Sequence, residues 1–137
     1  MTTIKAKKGE FVSLINGLFA VQELQGKKFS LTVSKNIVIL QKALKELEEA
    51  GKPSEEFMKL AEEVNQLANL NTDESKSKID ELEKNNEELV KSRQDQMEKL
   101  KVMMEDEIEV KLNIFEEDIL PEEITAKQIN NLIKIIK

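Results

Sequence analysis

The stretch EIEVKLNIF, Glu107 to Phe115, alternates strictly between polar and apolar residues, whereas nearly everything before it follows the 3-4 spacing of amphipathic helix. Ile108, Val110, Leu112 and Ile114 share one face, with Glu107, Glu109, Lys111 and Asn113 on the other. That period of two marks a strand with one face buried. A lone strand needs a partner, and the short run Thr2 to Ala6, with Ile4 and Ala6 on one side, supplies a candidate. The expected fold class is therefore mainly α (α+β): a long antiparallel helical hairpin arm on a small base of two short strands packed by the N- and C-terminal helices.

The helices follow from apolar spacing and from punctuation. Phe11, Leu14, Ile15, Leu18 and also Phe19 make the face of a first helix, which Gly26 separates from the next. Val33, Ile37, Leu40, Leu44 and Leu47 repeat in a 4-3-4-3 rhythm up to Gly51 and Pro53, with either Ser30 or Ser34 as the starting cap. A third helix begins near Ser54 and carries Phe57, Leu60, Val64 and Leu67, ending in the polar stretch Asn69 to Thr72.

The fourth helix spans about Asp73 to Asp106, which at about 1.5 Å per residue is roughly 50 Å. Its apolar seam of Ile79, Leu82, Leu89, Leu100 and Met103 is interrupted by Asn86, Arg93 and Gln96. That middle section cannot lie in a dry core. It is a wet seam whose polar residues set register, a helix projecting into solvent, or a face kept for a partner. The helices near 30–50 and 54–69 are expected to fold back along it, with the turn near Asn71.

After the alternating strand comes an acidic turn, Glu116 to Pro121, and then a helix from about Thr125 to Lys137. Thr125 and Gln128 stand at capping-box spacing, and Ile129, Leu132, Ile133 and Ile136 form its apolar stripe. Packing this stripe and the first helix on one side of the sheet would stabilise two strands that are marginal alone. The organisation expected is one domain, 1–137, with a base from 1–29 and 105–137 and an arm from 30–104. A sheet of two strands also leaves an edge for a further strand, from a partner or a second copy.

The side-chain inventory narrows the chemistry. There is no His, Cys, Trp or Tyr among the 137 residues. Acid–base work near neutral pH would need a strongly shifted Glu, Asp or Lys. Zinc and iron sites draw on Cys and His, so a carboxylate site would suit only hard cations. Disulfides are impossible. Phe11 to Phe19 is too short and too polar for a signal core or a membrane span.

Charged residues are 35% of the chain and aromatics 4%, a composition closer to elongated helices than to an enzyme with a deep pocket. The net charge of -6 is uneven: residues 1–35 hold six Lys against two Glu, and residues 105–137 hold four Lys against nine Asp or Glu. No dense Lys/Arg patch with interleaved aromatics is present, so no direct nucleic-acid binding is expected. The bland reading of these charges is a solvated surface.

Motifs add little. Gly51-Lys52 is followed by Pro53 and lacks an upstream phosphate-binding glycine, so it is not a P-loop. Glu116, Glu117, Asp118, Glu122 and Glu123 flank one turn but lack the spacing and central glycine of a calcium-binding loop. Met103 and Met104 read as core filler. No catalytic, cofactor-binding or metal-ligating residue is assigned.

The strings KKGEFVSLINGLF, VSKNIVILQKALKELEE and EIEVKLNIFEEDILPEEITAKQINNLI resemble a family of small tailed-bacteriophage proteins without an assigned function. The resemblance covers both ends and the start of the arm; residues 52–104 have no counterpart in it. It implies a short N-terminal helix, a long helix opening on a Ser-Lys-Asn-Ile string, and a C-terminal strand, turn and helix. It carries over no functional residue. The expected function is that of a non-enzymatic phage protein working through protein contacts as a virion or assembly component, whether adaptor, chaperone or minor structural protein. The alternative is a phage-encoded inhibitor of a host or anti-phage defence protein. Its partners would be copies of itself, other phage proteins or a host protein, with no cofactor and no membrane, in the host cytoplasm or the virion.

Overall fold

The alternating stretch is a strand in the computed structural model, which describes residues 1–137. β2 (Glu107–Leu112) pairs antiparallel with β1 (Thr2–Lys7), in a register that sets Ile4 opposite Val110 and Ala6 opposite Ile108. Apolar residues thus meet on one face. On the other, Lys5 lies opposite Glu109 and Lys7 opposite Glu107, with ion pairs running diagonally from Lys5 to Glu107 (3.8 Å) and Lys7 to Glu105 (2.7 Å). A one-residue slip would turn the apolar face outward. The rest is mainly helical, with seven α-helices where the spacing predicts five, because the second and fourth predicted helices are each interrupted.

Residues 1–48 and 102–137 form one compact unit, and residues 49–101 a second. In the first, α1 (Lys8–Ala20) buries Phe11, Leu14, Ile15 and Leu18, while Phe19 stays exposed. α2 (Lys27–Ala43) starts at Gly26, whose φ of 135° only glycine adopts readily, so neither Ser30 nor Ser34 is the cap. The 4-3-4-3 rhythm holds, and Val33, Ile37, Leu40, Leu44 and Leu47 are all buried. However, the helix is interrupted at Leu44 and resumes as α3 (Lys45–Gly51). α2 packs on α1 and on β2, so it belongs with the strands and not with the arm expected over 30–104. Covering a two-stranded sheet demands more apolar surface than α1 and the C-terminal helix offer.

α1 also packs against α7 (Ala126–Leu132). The approach is close at Gly17, where an added Cβ would stand 3.1 Å from the Asn131 Cβ. The capping box forms as predicted: the Gln128 N–H donates to Thr125 Oγ1 at 3.2 Å and Gln128 Oε1 accepts from the Thr125 N–H at 3.0 Å. The helix does not run to Lys137. It tightens into a 3-10 turn over Ile133–Ile135, where the repeat falls to three residues. Leu132 is buried as the stripe predicts, but Ile135 is buried in place of Ile133, which is exposed. Backbone bonds from the Phe115 N–H to the Ile135 carbonyl (2.7 Å) and from the Lys137 N–H to the Phe115 carbonyl (2.9 Å) fasten this end. Phe115 is fully buried, with its ring centroid 5.2 Å from that of Phe29.

The second unit is built on α4 (Glu55–Leu70), α5 (Asp73–Asn85) and the greater part of α6 (Glu87–Met104). Ser54 caps α4 and Thr72 caps α5. Between them Asn71 adopts the left-handed conformation, φ 48°, making the tight turn where it was expected. The pairing is antiparallel. Leu67 and Leu70 line one shallow groove with Leu82, Phe57 lies under Arg93, and Gly51 is 3.3 Å from Leu100 measured from an ideal Cβ.

The continuous helix predicted from 73 to 106 is instead divided at Asn86. Its side-chain amide donates to the Leu82 carbonyl at 2.8 Å, in competition with the backbone, and its own N–H reaches Leu82 and Glu83. No helix in the structure is long and apolar enough to cross a membrane.

Candidate functional site

The first candidate surface is the outer edge of β1. The Lys8 N–H donates to the Asp106 carbonyl at 2.8 Å, which fixes the parity of the ladder. Thr2, Ile4, Ala6 and Lys8 direct their backbone groups toward β2, and Thr3, Lys5 and Lys7 direct theirs away. Of the outward groups, the Lys7 N–H is taken: it donates to Glu10 Oε2 at 2.9 Å. Thr3 and Lys5 bond to nothing beyond the ladder. An open edge two residues long therefore remains, the kind of edge onto which another strand can add.

The far end of β2 is closed by a side chain. Asn36 on α2 is fully buried, donating from Nδ2 to the Asn113 carbonyl at 2.9 Å and accepting from the Asn113 N–H at 2.8 Å through Oδ1. Its amide thus occupies both backbone groups of Asn113, which ends that edge, while the outward backbone groups of Glu107, Glu109 and Lys111 are not bonded by it. Asn36 is a residue whose role the apolar rhythm of α2 does not reveal. The available signal was one amide at a core position, between Val33 and Ile37, where a polar group must find a partner.

Two ion pairs brace the N-terminus of α1. Lys134 Nζ lies 2.9 Å from Glu10 Oε1, and this bond, with the Lys7 N–H, holds the Glu10 carboxyl below its ordinary value. Lys7 Nζ lies 2.7 Å from Glu105 Oε2, and that hydrogen bond raises the Lys7 ammonium above its ordinary value. Both groups are exposed and serve to position the end of the helix.

The polar residues of the interrupted seam have a structural task in the second unit. Arg93 Nη1 donates to the Gly51 carbonyl at 2.9 Å and to Gln96 Oε1 at 2.8 Å. Gln96 Nε2 reaches the carbonyls of Ala50 and Lys52, both at 2.7 Å. Carbonyls at the end of a helix have no partner within it, and these side chains satisfy them from α6. The Arg93 guanidinium also lies 5.7 Å from the Phe57 ring centroid. This favours the wet seam among the three sequence-based explanations.

Elsewhere the acidic turn carries no gathered site. Glu116, Glu117, Asp118, Glu122 and Glu123 are exposed, and no three carboxylates stand where one ion could bridge them. Exposed apolar side chains are found in both units: Leu31, Val38 and Ile133 in the first, Met58 and Leu70 in the second. No known protein family, curated protein or solved structure matches the chain.

Proposed function

We propose that this is a non-enzymatic bacteriophage protein that acts through protein–protein contacts, as an adaptor, chaperone or minor structural component in particle assembly. The observation that carries the reading is the open edge of β1. A sheet of two strands is marginal by itself, and here one edge is plugged at its end by Asn36 while the other offers Thr3 and Lys5 unpaired. Such an edge invites strand addition. The lack of His and Cys removes the commonest catalytic and metal-binding side chains, which is consistent with a contact role. The phage origin rests on the resemblance of the two ends of the chain.

The inhibitor reading is favoured by one feature, the acidity of the hairpin. Residues 49–101 hold fourteen Asp or Glu against nine Lys or Arg. A helical hairpin of that charge could occupy a basic surface on a host protein.

Quantitative mass spectrometry of purified virions beside the infected-cell lysate separates the two readings. A fixed copy number per particle is the expected result for a structural component. An assembly chaperone is abundant in lysate, absent from particles and bound to phage proteins on pull-down. Absence from particles together with a single host protein on pull-down would reject the assembly role.

A further inference from the structure

α2 turns two faces outward and inward that differ completely in chemistry. The inward face is Phe29, Val33, Asn36, Ile37 and Leu40. The outward face carries Lys28, Leu31, Lys35, Val38 and Lys42, all exposed, at alternating intervals of three and four residues. They lie in one line along the helix, about 20 Å from Lys28 to Lys42. From residue 24 to residue 45 the chain has five Lys and no Asp or Glu, although the whole chain is acidic at -6. None of those five lysines, at 27, 28, 35, 42 and 45, enters an ion pair. Leu31 and Val38, 53% and 52% exposed, sit between the charges.

We propose that the outward face of α2 docks an acidic amphipathic helix of a partner protein, whose carboxylates meet Lys28, Lys35 and Lys42 and whose apolar residues meet Leu31 and Val38. The charge argument is direct: a line of unpaired ammonium groups without an intervening acid attracts an anionic surface and repels a basic one. The 3-4 spacing selects a helix, because two helices crossing at a small angle keep such a seam in register over several turns. Leu31 and Val38 separate this from a phosphate backbone, which would leave both of them without an apolar counterpart. They are too few for insertion into a lipid surface, and the broad apolar face of α2 is already spent on the core.

This inference rests on the contact reading above and names the chemistry of the partner. The test is fluorescence anisotropy of the full chain with a labelled three-heptad peptide carrying Leu and Glu at 3-4 spacing on one face. Controls are a peptide of the same composition with its face scrambled, a duplex oligonucleotide and phosphatidylserine vesicles.

At physiological salt the acidic peptide is expected to bind with Kd on the order of 10 µM. Binding should weaken roughly tenfold in Lys35→Glu/Lys42→Glu and several-fold in Leu31→Ala/Val38→Ala. All four positions are exposed, so circular dichroism should show unchanged folding. No binding of the acidic peptide, or equal binding of the scrambled one, overturns the proposal. Tighter binding of the oligonucleotide or the vesicles overturns it as well. If the wild-type chain enters particles at fixed copy number but does not bind the acidic peptide, this inference fails and the assembly role stands.

Discussion

The two units solve the same problem, holding helices together, with different materials. The first buries a dense apolar set from two strands and four helices, among them Phe11, Leu18, Phe29, Leu40, Leu112, Phe115 and Ile135 at 1% exposure or less. In the second, Leu60 is the one buried apolar residue, and Phe57, Val64, Leu67, Leu82 and Leu89 are only half-buried along the seam. There cohesion depends on caps at Ser54 and Thr72 and on Arg93 and Gln96 reaching helix-end carbonyls. Apolar burial contributes about 25 cal/mol per Å2, whereas each net hydrogen bond contributes about 1 kcal/mol. The hairpin is therefore expected to open before the first unit does.

Substitutions can break this contrast in graded steps. Val110→Asp places an unpaired carboxylate in the packed face of β2, at a residue 6% exposed. A loss of about 4 kcal/mol or outright unfolding of the first unit is expected by chemical denaturation. An unchanged melt would remove β2 from the core. Proline tests the parity of β1 next. Ile4→Pro removes an N–H that faces β2 and should cost about 3 kcal/mol, while Thr3→Pro removes an outward N–H and should cost well under half as much. Equal losses by thermal melting would show that the open edge has been assigned to the wrong residues.

Asn36→Leu fills the same space with an apolar side chain but leaves both backbone groups of Asn113 without their partner. About 2 kcal/mol should be lost from the first unit, as measured by urea unfolding. No loss would mean that water replaces the amide without cost. In the hairpin, Gln96→Leu gives up the bonds to Ala50 and Lys52, and about 1 kcal/mol is expected, confined to the second unit.

The smallest effect is that of pH. The Glu10 carboxyl is lowered in the folded state, so its contribution is present above the ordinary carboxylate range and is lost as pH falls through its depressed value. Lys7 has the opposite sign. It is raised, so its contribution is present below the ordinary lysine range and is lost as pH rises through the elevated value. Glu10→Gln should flatten the acid limb of the stability–pH curve slightly, and Lys7→Met the alkaline limb.

How much of this was legible in the sequence depends on the distance over which each feature is decided. The strand over 107–112, the caps at Ser54 and Thr125 and the turn at Asn71 are local, and their residues announce them. The shift at the C-terminus is not local. Ile135 replaces Ile133 inside because the chain tightens to meet Phe115, some twenty residues earlier. Asn86, Arg93 and Gln96 were visible as anomalies in an apolar seam. Their explanations differ: Asn86 ends a helix locally, whereas Arg93 and Gln96 serve carbonyls more than forty residues away. The place of α2 beside the strands was hidden because its rhythm is equally that of an arm helix. Its packing on α1 and β2 distinguishes them, with Asn36 buried against Asn113. The open edge was foreseen as a possibility of any two-stranded sheet, but its length required the ladder's parity.

Native-state hydrogen exchange of the full chain tests the contrast between the units most directly. Amides around Leu18, Leu40 and Leu112 should exchange only through global unfolding, and those of Ile79 to Leu82 in α5 through a separate opening of lower free energy that steepens little with denaturant. Exchange of both sets through one common opening would contradict the account, because it would make the hairpin as firmly held as the apolar core.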